Sequence, residues 1–380
     1  MIQFFNKKGS ITIFLTSILI TMIMASMVFV HAARSISGAS YSDAVLELAG
    51  RSVLSEFDRR LWEEYGIFAF YGSPELVAYG IDFYASAAFD KTLPREFGWF
   101  TGAVTDLFRL KLQRVDVCLA SYSLADLDIF EEQVIAASWI PSVHEVLDSG
   151  LRSTKVNEYI LERFQYHVGG DKDKNTVFKN EVEYILHGRM SDKENLNRFM
   201  TEFVLMRTPL NSGHILTCAN KRRAVLALAK TFGPAAPAAF VVLVAAWSLA
   251  EAENDTRLLM AGKNVAMVKT CRTWALDLRN AVRTVRITDD EGNIVDVEAT
   301  PREMSIYVSP KSPEGMSYVE YLRFFLYLEK RETKLQRMMD LIQMNFRSSY
   351  YEEFSIGDHY TGFSLTAVVS GKKFEYEQKY

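Results

Sequence analysis

The chain has 380 residues, 49% of them apolar and 24% charged, a composition that excludes an intrinsically disordered protein. Its 43 Lys and Arg against 47 Asp and Glu leave a net charge of -4, which excludes a global basic field for nucleic acid. Three cysteines are too few for a disulfide-dense secreted scaffold.

Lys7 and Lys8 precede a stretch without Asp, Glu, Lys or Arg from Gly9 to Ala33. Its strongly apolar part, Ile11–Val30, is 20 residues long. As a helix it spans about 30 Å, the thickness of a bilayer's hydrocarbon core. The two lysines predict a cytoplasmic amino terminus. The expectation is therefore a single-pass cell-membrane protein. Residues 1–34 form the cytoplasmic start and transmembrane anchor, and residues 35–380 an extracytoplasmic body, with a further division into 35–190 and 191–380. The competing reading is a secretory signal cut near Ala32-Ala33, but its apolar core should be only about 7–15 residues. Ser17, Thr21 and Ala25 recur at i+4. Small residues at that spacing let another membrane helix approach closely, and the alternative is that the hydroxyls bond back to their own helix.

The helical pattern continues through Ala44, Val45, Leu48, Val53, Leu54, Phe57 and Leu61, predicting one helix out of the bilayer with a bend near Ser37-Gly38. Residues 66–72 read as a short aromatic strand between glycines. Ser73-Pro74-Glu75 reads as a helix start. Leu110–Leu119 reads as a strand interrupted near Arg114. Helices are expected over 127–147 and 156–167, and after Ser191 and Ser317, each opening a capping box with a Glu three residues on. Ala235–Ala250, 16 residues with Pro237 in its first turn, is short for a span and reads as the central core helix. Residues 285–298 read as a hairpin about Asp289–Asn293, and 305–309 as a strand. Leu335, Met338, Met339, Ile342 and Phe346 mark a further helix, and 363–369 and 373–376 the closing strands. The fold class is α+β: an N-terminal transmembrane helix continuing into a helix-rich body with short antiparallel strands.

The junction Lys8-Gly9-Ser10-Ile11-Thr12-Ile13-Phe14 resembles the entry of type IV pilin-like and TadE/TadG-like pseudopilin segments. The resemblance implies a prepilin-type cut between Gly9 and Ser10, although Phe14 stands where such proteins usually carry Glu. Leu61-Trp62-Glu63-Glu64-Tyr65-Gly66, Glu181–Gly188, Ala246–Ala252 and Arg337–Gln343 extend the likeness through the body. Together these motifs resemble an uncharacterised family of Firmicutes (clostridial) membrane proteins that accompanies tight-adherence (Tad) pilus genes. The resemblance implies an extracytoplasmic role beside a pilus or secretion machine. It implies no activity and no catalytic residues.

The chemistry searched for is sparse. Asp171, Asp173 and Asn175 match the start of a calcium loop, but Thr176 and Val182 stand where Gly and Glu are needed, so a solvated loop is expected. His144-Glu145 lacks the second His of a zinc-protease helix, with Asp148 in its place. Cys118, Cys218 and Cys271 form no CxxC pair; at most one disulfide can form, and buried thiols are expected. Lys221-Arg222-Arg223 reads as a helix face. No GxSxG, Walker loop or GxGxxG is present. The expected function is a membrane-anchored structural or interaction component of a Tad-like pilus or secretion apparatus. Its partners are the lipid bilayer and a pilus or envelope protein, with no nucleic acid, cofactor, metal or catalytic residue assigned. A cell-envelope enzyme with a non-local site and a ligand-sensing ectodomain are the rival readings.

Overall fold

A computed structural model describes residues 7–89, 108, 110–138, 149–166, 175–279, 281 and 307–380. The hairpin expected over 285–298, the start of the 305–309 strand, the His144-Glu145 pair and residues 171–174 lie outside the described residues. The architecture is α+β, mostly helical with short antiparallel strands and a long N-terminal apolar helix. The chain forms two compact units, residues 1–129 with 355–380, and residues 130–354.

In the first unit, α1 is one 48-residue helix, Lys7–Leu54. Its two halves differ in chemistry. From Thr12 to Arg34 every side chain is exposed, including Phe14, Ile23 and Phe29. From Ser42 onward a stripe of Ser42, Val45, Leu46, Ala49 and Val53 is buried, the i, i+3, i+4, i+7 spacing of an amphipathic helix. The helix runs unbroken through Ser37-Gly38, the place of the expected bend, and Ser42 Oγ donates to Gly38 O at 2.8 Å within it. The helix stops at Leu54 and does not reach Leu61, because Asp58 starts a new one. Its Oδ1 accepts the amides of Arg60 and Leu61 at 2.8 and 3.1 Å, capping α2, Arg59–Tyr65. Gly66 ends α2 at φ 69° with its amide on Trp62 O, a left-handed position that favours glycine. The strand expected over 66–72 therefore shrinks to β1, Phe70–Tyr71.

Ser73 Oγ accepts the Leu76 amide at 3.3 Å and opens α3, Pro74–Phe89. β2, Leu112–Cys118, carries the expected interruption as a register shift between Leu112 and Arg114. The C-terminal segment returns as β3 (His359–Tyr360), β4 (Gly362–Val369) and β5 (Lys372–Lys379). β3 pairs with β1, and a three-stranded antiparallel sheet has the order β2-β4-β5, with Val115 opposite Ala367 and Leu365 opposite Tyr376. Phe363, Leu365, Ala367 and Val369 alternate inward along β4 and meet the buried stripes of α1 and α3 in one core. β5 fastens α1 from the sheet: Tyr376 bonds Asp43, Gln378 Nε2 donates to Glu47 O at 3.1 Å, and Tyr380 donates to Leu54 O.

The second unit contains α4 (Leu127–Ala137), α5 (Ser149–Arg163), α6 (Glu181–His187), α7 (Asp192–Thr217), α8 (Ala219–Ala229), α9 (Ala236–Met260), α10 (Tyr318–Leu328) and α11 (Arg331–Ser349). The capping box predicted at Ser317 and Glu320 is present. The one predicted at Ser191 is not: Ser191 occupies the cap position without a side-chain bond, while Asp192 Oδ1 accepts the Lys179 amide at 3.0 Å. The buried residues of α7 fall at every fourth position from Asn195 through Phe199, Phe203, Arg207 and Asn211 to Ile215, the i±4 ridge of a packed helix. Phe203 meets Tyr321 edge-on at 4.8 Å between ring centroids.

α9 departs from the expected core helix. Its C-terminal half is core, from Leu243 and Trp247 to Leu258 and Leu259. Its first two turns are not, with Val241 and Val242 65% and 64% exposed. Ala219–Met260 and the α1 segment are both long and apolar enough to cross a membrane by length and composition.

Candidate functional site

The apolar half of α1 carries the residues singled out in the sequence. Gly9 and Ser10 lie in its first turn. Ser17, Thr21 and Ala25 are exposed, and Thr21 Oγ1 donates to Ile18 O at 2.8 Å.

A second exposed surface lies on the first unit. Leu76, Tyr79 and Phe83, one face of α3, are exposed together with Tyr71 of β1. They border a cleft of about 330 Å³ that reaches Phe70 and Tyr84. An exposed leucine and two exposed aromatic side chains at i, i+3 and i+7 around a cleft are the pattern of a protein-binding surface.

The densest chemistry is in the second unit and begins with a buried ion network. Arg207 of α7 and Asp255 of α9 are wholly buried, and Lys269 and Glu251 nearly or wholly so. Lys269 Nζ donates to Glu251 Oε1 at 2.7 Å, Asp255 Oδ1 at 2.6 Å and Thr273 O at 3.0 Å. Glu251 also accepts the amides of Ala275 and Leu276, each at 2.8 Å. Two cations meet two anions and most polar atoms are hydrogen-bonded, the condition under which buried charges are tolerated. The consequence is positional: the network holds the 267–276 segment onto α9 and α7.

That placement brings Cys271 to Cys218. Cys218 joins α7 to α8, and its Sγ lies 3.3 Å from Cys271 Sγ. His214, one turn earlier on α7, offers a ring nitrogen so that the three potential ligand atoms lie within 4.8 Å of one another. His214 Nε2 is buried without a hydrogen-bond partner, and its ring stacks on Trp274 at 5.3 Å. Lys221 Nζ sits 3.9 Å from the Trp274 ring centroid and 4.6 Å from that of Trp247. Burial draws the Lys221 ammonium down to about 8. Burial, then the Lys221 and Lys269 charges, also hold His214 below the ordinary imidazole value. The Lys221 amide, then the Cys271 thiol, hold Cys218 below the ordinary thiol value.

The expectation of buried cysteines is corrected: Cys118 and Cys271 are exposed and Cys218 is half-buried. Sequence reading missed this cluster because 53 residues separate the two thiols. Its one local sign was His214-x3-Cys218, which puts both side chains on one helix face.

α6 lies almost wholly buried in the same unit. The Tyr318 hydroxyl donates to Glu183, and burial lifts the Glu183 carboxyl to about 7. His187 lies 3.8 Å from Glu202, yet burial and the charges of Arg337 and Arg198 push it down to about 4. At neutral pH this contact is therefore not an ion pair. Arg337 Nη1 donates to Ile185 O at 2.9 Å, satisfying the end of α6 where Gly188 turns the chain at φ 65°.

No curated protein and no solved structure matches the chain. The model of a family of unknown function (DUF5702) matches residues 136–371, more than half of the chain, and the protein belongs to that family.

Proposed function

We propose that this protein is a membrane-tethered, extracytoplasmic interaction component of a Tad-like pilus or secretion apparatus, acting by binding and not by catalysis. The observation that carries the reading is α1. One continuous helix is apolar and exposed on all sides from Thr12 to Ala33, and amphipathic and docked on a sheet from Ser42 onward. A helix apolar on every face over about 20 residues belongs in a bilayer. Lys7 and Lys8 orient its start to the cytoplasm. The rigid connection would then hold the first unit, with its α3 aromatic face, at the outer membrane surface. That face is the surface offered to a pilus or envelope protein.

Cleavage between Gly9 and Ser10 would leave the apolar helix intact and remove both lysines. Phe14 cannot supply the carboxylate that would pair with a neighbouring subunit's new terminal amine. The protein is therefore a tethered or minor component, not a filament-forming major subunit.

Two experiments test this reading. Tagged full-length protein crosslinked in native membranes should recover a pilus or envelope protein. Replacing Tyr79 and Phe83 together by Ser should cut that recovery several-fold at unchanged protein level. Equal recovery with the double variant would remove α3 as the binding face. Amino-terminal sequencing reads the processing: Ser10 supports the cut, Met1 rejects it, and Arg34 would indicate a cleaved secretory signal.

A further inference from the structure

The pair of thiols and the imidazole described above have no task in the binding role, and their geometry points to a metal centre. We propose that His214, Cys218 and Cys271 bind one thiophilic divalent cation of the zinc type, with the fourth position open to solvent.

Two zinc–thiolate bonds of about 2.3 Å in a tetrahedral arrangement put the sulfurs about 3.8 Å apart. A disulfide requires about 2.05 Å. The observed 3.3 Å lies nearer the metal-bridged separation. His214 and Cys218 are i and i+4 on α7, so their side chains share a helix face, and the three ligand atoms lie within 4.8 Å of one another. The buried Nε2 of His214 has no hydrogen-bond partner, and a buried ring nitrogen left without a partner is costly unless something binds the imidazole. The Lys269–Glu251–Asp255 bonds fix the segment bearing Cys271, and the Trp274 ring fixes His214. The site is thus held before an ion arrives, the condition for tight binding.

Charge and protons balance. The cation binds a neutral imidazole and two thiolates, so the two thiols release two protons to solvent, and the complex is neutral at its core. The two thiolate charges offset the repulsion between the Lys221 ammonium and the cation. Exposed Cys271 leaves the remaining coordination position facing water, the arrangement of three protein ligands and one exchangeable ligand.

The probe is cobalt(II) on the full-length, detergent-solubilised protein after reduction and removal of reductant. One equivalent should produce thiolate-to-cobalt charge-transfer absorption and tetrahedral d–d bands, and zinc should abolish both. Cys218→Ser and Cys271→Ser should each remove the charge-transfer intensity of a two-thiolate site. His214→Ala should weaken binding by more than ~10-fold, since the loss of an outer-shell partner alone costs about that much. Cys118→Ser should change nothing, and far-ultraviolet circular dichroism confirms that each variant is folded. Absence of the bands while three free thiols are counted would overturn the proposal. So would the same spectrum from folded Cys218→Ser, or a Cys218–Cys271 disulfide in protein alkylated directly in native membranes.

Discussion

Arg207 donates from Nε and Nη2 to a single oxygen of Asp255, Oδ2, at 3.1 and 2.9 Å, with neither side chain exposed to solvent. The remaining nitrogen, Nη1, donates to Met267 O at 2.5 Å. The pair thus joins α7, α9 and the segment after α9 at one point.

Breaking it from one side leaves a buried charge without its partner. Asp255→Ala should destabilise the second unit by about 3–5 kcal/mol. Arg207→Met with Asp255→Leu should recover much of that loss, because Lys269 and Glu251 remain as a neutral pair. Urea unfolding of the three proteins followed by tryptophan fluorescence checks this, since Trp247 and Trp274 lie in the affected core. A double variant no more stable than Asp255→Ala would contradict the coupling.

Glu183 and His187 give the second unit two opposing proton linkages. Glu183 is raised from 4.5 to about 7 when folded, mainly by burial. The folded state therefore holds a proton that the unfolded state has lost, and stability falls as pH rises through about 4.5–7. His187 is lowered from 6.5 to about 4, again mainly by burial. Here the unfolded state holds the extra proton, and stability rises through about 4–6.5. Each effect is on the order of 3 kcal/mol at full extent, so the two largely cancel. Glu183→Gln should gain stability relative to the parent as pH rises from 4.5 to 7, and His187→Gln should lose it. Denaturant midpoints at half-unit pH steps would show this, and parallel profiles for all three proteins would refute it.

Removal of residues 1–34 should leave the first unit folded. No side chain from Thr12 to Arg34 is buried, and the core stripe of α1 begins at Ser42. The truncated protein should leave the membrane fraction on carbonate washing, with a circular dichroism spectrum that loses only the helical signal of the deleted segment and with a cooperative thermal transition. Retention on the membrane would show that the α8–α9 segment holds the protein there by itself.

The legible parts of the fold were those fixed by local chemistry. The all-apolar first half of α1, the Ser317–Glu320 box, the Ser73-Pro74 start and the period-two run of β4 each carry their signal within a few residues. The break at Leu54 was hidden because the apolar spacing continues to Leu61, and only Asp58 capping a new helix overrides it. The β2–β4 pairing was hidden because Arg114 and Val368 are distant in sequence, and register depends on which strands find each other. The exposed start of α9 was misread because a Val-rich run looks the same in a core as at a surface. The thiol–imidazole cluster was half legible. His214 and Cys218 announce themselves by spacing, while Cys271 is delivered by a buried ion network that no pattern in the sequence marks.

Cys118 offers a native reporter of a membrane-spanning α1 with the body outside the cell. It is exposed on β2 of the first unit. In a Cys218→Ser, Cys271→Ser background, a membrane-impermeant maleimide should label Cys118 on intact cells as completely as after lysis. Labelling that appears only after lysis would contradict the proposed topology.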